Sequence, residues 1–173
     1  MGVENASIVL INKEDIDESA STSDGAKCTA IVLKSGATGY KFEVAKSDLI
    51  SASSAFAPSS EDIQGHTHTV SLRIMNPNAE AAERFNELQN GRFVAVVETR
   101  YKGTDQLDAF KVYGRHAGLE MSEGTVNTNE NSGSLVFSLA TKEGTVEPYP
   151  YNIFIETDYA TSKATYDSVF ASV

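Results

Sequence analysis

The segment Phe93–Val97 reads FVAVV, apolar at five successive positions. Side chains of a strand alternate between its two faces. A strand with no polar face has no side to offer water, so this one belongs in the middle of a sheet. The residues C-terminal to it supply its partner. YKGTDQLD is polar and contains Gly103, and Ala109–Tyr113 is again β-rich, which together read as a hairpin whose second arm returns antiparallel to the first.

The rest of the chain repeats this grammar. Ser7–Ile11, Lys27–Lys34 and Tyr40–Val44 are β-rich, the last two separated by the turn-forming SGATG. Thr67–Met75 alternates, with Val70, Leu72 and Ile74 on one face and Ser71 and Arg73 on the other. His116–Met121, Ser134–Leu139 and Asn152–Ile155 add short strands, and Glu123–Ser132 is polar and turn-forming. A helix is expected at about 77–89. Asn76 would cap it, Pro77 suits its first turn, Glu80 and Arg84 pair at i,i+4, and Asn90-Gly91 offers a left-handed end. Its apolar stripe is Ala81, Phe85 and Leu88. A second helix, at about 158–170, starts from Thr157 or Asp158 and sets Tyr159, Tyr166 and Phe170 at helical spacing. There is no βαβ alternation and no long repeat. The expected class is α+β, mainly antiparallel: a β-sandwich or partly closed barrel with one central and one C-terminal helix.

Residues 1–24 hold Glu4, Glu14, Asp15, Asp17, Glu18 and Asp24 against Lys13. They read as an acidic arm, centred on Glu14, Asp15, Asp17 and Glu18, ahead of a single domain over 25–173. Residues 45–64, rich in Ser and Ala around Pro58, read as a long loop or short helix. The net charge of −10 repels phosphate, so nucleic acid is not gripped. Such charge supplies solubility, or a surface past which DNA can slide. No apolar run approaches the roughly 18 residues of a membrane span, and the N-terminus lacks a signal-like pattern, so cytoplasmic synthesis without a membrane is expected. Cys28 has no second cysteine to pair with.

Reactive constellations are sparse. His66 and His68 in GHTHT share a strand face and have the only metal-like spacing, but no third His or Cys lies nearby in sequence. The plainer reading is exposed or loosely packed histidines. The serines of SASSAFAPSS have no nucleophile elbow, and KEDIDE lacks the spacing and glycine of a calcium loop. No catalytic residue, metal or cofactor is assigned.

The stretch from Arg92 to Asp158, through FKVYGRHAGLEM and NSGSLVFSLATKEGTVEPYP, resembles small virion proteins of tailed bacteriophages, particularly those of Bacteroidetes-type hosts. The matching residues are Phe110, Val112, Gly114, Gly118, Leu119, Gly133 and Leu139. The resemblance implies a non-enzymatic virion protein of the tail tube or neck. Such proteins assemble into homo-oligomeric rings with other virion proteins and enclose an acidic conduit for DNA. It also implies that the tip Tyr101, Lys102, Gly103, Thr104 and Asp105 projects to a neighbouring subunit. Two rival readings remain: a β-sandwich module recognising protein or carbohydrate, and an enzyme holding a metal on His66 and His68.

Overall fold

A computed structural model describes residues 2–59, 63–75 and 77–170, the side chain of Asn131 excepted. The chain is mainly antiparallel sheet with two short helices, an open sandwich as its sequence class requires. The strands are β1 (Ser7–Asn12), β2 (Thr22–Asp24), β3 (Lys27–Ala30), β4 (Tyr40–Glu43), β5 (Ile50–Ala57), β6 (Gly65–Ile74), β7 (Phe93–Glu98), β8 (Phe110–Tyr113), β9 (Leu119–Val126), β10 (Leu135–Thr141) and β11 (Asn152–Phe154). The helices are α1 (Ala79–Leu88) and α2 (Tyr159–Ala164), the latter running on into a π-turn over Thr165–Val169.

One sheet folds over on itself. β8 and β9 form a single course of chain broken by residues 114–118. Before the break the chain pairs with β7, and after it contact with β7 shrinks to Phe93 opposite Leu119 while β10 becomes the partner. Gly114 (φ 74°) and Gly118 (φ 84°) make the corner in the left-handed region. A Cβ on Gly114 would stand 2.6 Å from Leu119 Cγ. One leaf therefore runs β4-β1-β7-β8-β11-β3-β2, and the other β9-β10-β6-β5.

The first leaf is covered on both faces, which is why β7 carries apolar residues on both of its own. Ile8 and Leu10 of β1, with Phe93, Ala95 and Val97 of β7, face the second leaf and meet Val70, Leu72, Phe137 and Leu139. Val9, Ile11, Val94 and Val96 face the other way, onto Phe110, Val112, Phe154, Tyr166 and Phe170. The C-terminal helical segment thus roofs a second core. Helix α1 closes the end of the first core with Leu88 and with Phe85, whose ring lies 5.8 Å from that of Phe137.

The fold departs from several expectations. Residues 1–24 are not a free arm: β1 is buried along Ser7–Ile11 and pairs with both β4 and β7. SIVLI is apolar enough to be buried by the two cores even though acids come after it. Residues 45–64 are not a loop throughout, because Ile50–Ala57 pairs along its full length with β6. The expected turn at 123–132 begins later, since β9 continues to Val126 against β10. The cap at Asn76 lies outside the described residues; Asn78 caps α1, accepting from Ala81 N at 2.8 Å. No left-handed cap ends α1, since neither Asn90 nor Gly91 has positive φ. The Glu80–Arg84 pair forms at 2.9 Å, and Asp158 caps α2.

Candidate functional site

The hairpin is built on Glu98, the last residue of β7. Alternation continues past Val97 and aims this carboxylate at the second core, where Glu98 is 1% exposed. Burial of a bare carboxylate is very unfavourable, so it must be met by donors. It accepts from Tyr159 Oη at 2.5 Å and Lys102 Nζ at 3.0 Å, and pairs with Lys163 Nζ at 3.1 Å. Asn5 Nδ2 adds a bond at 3.3 Å, from a residue held at φ 53°. Burial alone would raise the Glu98 carboxyl; the Tyr159, Lys102 and Lys163 donors outweigh it and hold the pKa below its ordinary value. Lys102 also donates to Tyr159 Oη at 3.0 Å and lies over that ring, which keeps it protonated far above neutrality.

This network decides what the hairpin tip can present. Of the five interface candidates, Lys102 is committed to the interior. Gly103, at φ 68°, leaves a Cβ no room beside Asp108. Tyr101, Thr104 and Asp105 are exposed. The acidic segment is similarly anchored. Glu18 makes a two-toothed ion pair with Arg115, both bonds at 2.8 Å, and Arg115 is 7% exposed. Asp17 folds its carboxylate back onto Ser19 and Ala20 in a local turn. Glu14 is exposed and Asp15 half-buried.

Of the two histidines of GHTHT, His66 is half-buried, but His68 is not loosely packed. His68 is fully buried; Gly114 N donates to its Nδ1 at 2.9 Å, and its Nε2 donates to the Tyr149 carbonyl at 2.9 Å. Both ring nitrogens are taken, leaving no lone pair for a metal. Burial depresses its pKa, so the ring is neutral. Its neighbour Glu147 is also fully buried, its carboxylate accepting from His116 N and Ala117 N at 3.0 and 2.8 Å while its backbone exchanges two bonds with His66. Together His68 and Glu147 fasten the 114–118 corner to β6. His66 stands edge-on to the exposed Phe56. No group of three or more metal-ligating side chains occurs among the described residues.

Grooves lie elsewhere. A polar one of about 360 Å³ is walled by Asn12, Glu14, Asn90, Arg92 and Glu120. Another, of about 310 Å³, runs between the leaves beside β5 and is lined by Ile50, Val97, Tyr101, Lys111 and Tyr113. Neither is lined by His68, Glu98 or Cys28. The described residues contain no helix long and apolar enough to cross a membrane.

The largest feature left unused is an edge. β5 pairs with β6 on one side and with no described strand on the other. Its sequence, ISASSAFA, carries no charge and no proline over eight residues. Sequence reading misses this edge and also Glu98, Glu147, Arg115 and Tyr159. Only Glu98 leaves a signal, as an acid terminating a strand that is apolar on both faces. Comparison with known protein families, curated proteins and solved structures gives no match to this chain.

Proposed function

We propose that this chain is a non-enzymatic structural subunit that assembles with copies of itself, as a ring protein of a phage tail tube or neck. The observation that carries the reading is the open, uncharged edge of β5. Natural sheets shorten, charge or cover such edges because they template pairing with other chains. An eight-residue edge without those protections is suited to an assembly contact. The buried ionisable groups support the same reading, since Glu98, Glu147 and His68 spend their bonding capacity holding the fold together. The charge of −10 would let DNA pass a lumen without adhering. Negative-stain imaging of the purified chain at rising concentration tests this: rings or short tubes are expected, and isolated particles at every concentration would overturn it.

A second reading, a module that binds protein or carbohydrate, is favoured by the groove that brings Tyr101, Lys111 and Tyr113 together. It expects a stable monomer whose ligand affinity falls at least tenfold in Tyr101→Ala. Calorimetric titration with oligosaccharides and peptides reads this out.

A further inference from the structure

We propose that β5 is an interface between two copies of this chain, the two strands pairing antiparallel about a two-fold axis through Ser53. This rests on the assembly reading and adds the partner strand and its register; the two-fold contact closes at a dimer, and a ring is then built from such dimers through a second, head-to-tail contact.

Four edges are open among the described strands: β2, β4, β5 and β9 beyond Leu119, the last carrying Glu120 and Glu123. β2 has three residues and carries Asp24; β4 has four and carries Lys41 and Glu43. Both are protected by shortness and charge in the way natural edges are. β5 has eight residues and neither protection. Charge then selects the occupant. Copies of a chain with net charge −10 repel one another over most approaches. A neutral strand is the edge on which a copy docks without setting acid against acid. A basic partner would find no carboxylate on this strand to recognise.

Geometry narrows the register, and the exposed Phe56 selects it. A two-fold axis relating neighbouring antiparallel strands stands perpendicular to the sheet and keeps each residue on its own face. Residues of like parity therefore pair. Centring on Ser53 sets Ala52 against Ser54, Ser51 against Ala55, and Ile50 against Phe56. The inner pairs are small and uncharged, so the backbones can close to ladder distance. The outer pair is apolar, and it covers Phe56, which is 58% exposed in the single chain. The product is one sheet continuous across both copies.

Cysteine cross-linking tests this directly. Ser53→Cys places two thiols opposite one another with Cα atoms about 4.5–5.5 Å apart, within disulfide reach. Ser51→Cys places its two thiols four residues out of register, roughly 13 Å apart. The native Cys28 is fully buried and cannot report. Under mild oxidation Ser53→Cys is expected to run predominantly as a disulfide-linked dimer on a non-reducing gel, while Ser51→Cys stays single. Ser53→Lys, which sets two ammonium groups on the axis, is expected to weaken self-association at least tenfold in sedimentation, with unchanged thermal unfolding. If the native chain self-associates but Ser53→Cys cross-links no faster than Ser51→Cys, the two-fold pairing through Ser53 is wrong, while self-association, and with it the assembly reading, survives. If the native chain stays monomeric at every concentration and neither variant cross-links, both fall.

Discussion

Removing the two lysines that face Glu98 exposes how the hairpin is held. Lys102→Met and Lys163→Met keep most of each stem, including the packing of Lys102 on the Tyr159 ring, but delete the charge. With one lysine gone, Glu98 still has the other and the Tyr159 hydroxyl at 2.5 Å. A hydrogen bond to a charged group contributes about 1.5–3 kcal/mol, and the remaining donors compensate in part, so each single variant should lose about 1–2 kcal/mol. The double variant leaves a carboxylate that is 1% exposed with one neutral hydroxyl and an amide. Its cost has a ceiling, because the group can take up a proton instead of remaining charged. From an ordinary carboxyl value of 4.5, protonation at pH 7 costs about 3.4 kcal/mol. At pH 5 the same step costs about 0.7 kcal/mol. The charge penalty of the double variant should therefore be about 3 kcal/mol at pH 7 and shrink by roughly 2–3 kcal/mol at pH 5. Urea unfolding of the native, single and double variants at both pH values measures this. A double variant within about 1 kcal/mol of native at pH 7, or a loss that does not shrink at pH 5, would refute the buried carboxylate as the organiser of this region.

The same geometry sets other outcomes. His68 has a pKa lowered by burial, so the unfolded chain binds the proton first; its stabilising contribution is complete above its ordinary value of 6.5 and is lost as pH falls below it. Urea midpoints between pH 7.5 and 5 should drop in the native chain and drop less in His68→Gln. That variant should also lose about 1–3 kcal/mol at pH 7.5, from imperfect replacement of the bonds to Gly114 and Tyr149. Gly114→Ala strains a residue at φ 74° and drives a methyl into Leu119, so a loss of about 2–4 kcal/mol is expected by thermal or urea unfolding. A chain beginning at residue 25 lacks β1, whose Ile8, Val9, Leu10 and Ile11 are fully buried. It should show no cooperative unfolding transition by circular dichroism.

Sequence patterning reaches as far as single elements whose burial agrees with their composition. The FVAVV run and the alternation through Val70 and Leu72 each point to strands that form, because hydrophobic burial alone determines them. β5 is opaque to such reading, since Ser and Ala favour strands weakly and its conformation comes from its ladder with β6. β1 is legible as the β-rich SIVLI, but the six acids over the first 24 residues hide that it belongs to the core and not to an arm. The ties that build the polar interior span large separations: Glu18 reaches Arg115, 97 residues away, and His68 reaches Gly114, 46 away. No local window contains both partners, so only the folded chain brings them together.

Sedimentation velocity of the native chain over a hundredfold concentration range tests the central claim most directly. Assembly through an open sheet edge predicts a sedimentation coefficient that climbs with concentration from the single-subunit value towards larger closed species. A single-subunit boundary unchanged over the whole range would contradict it.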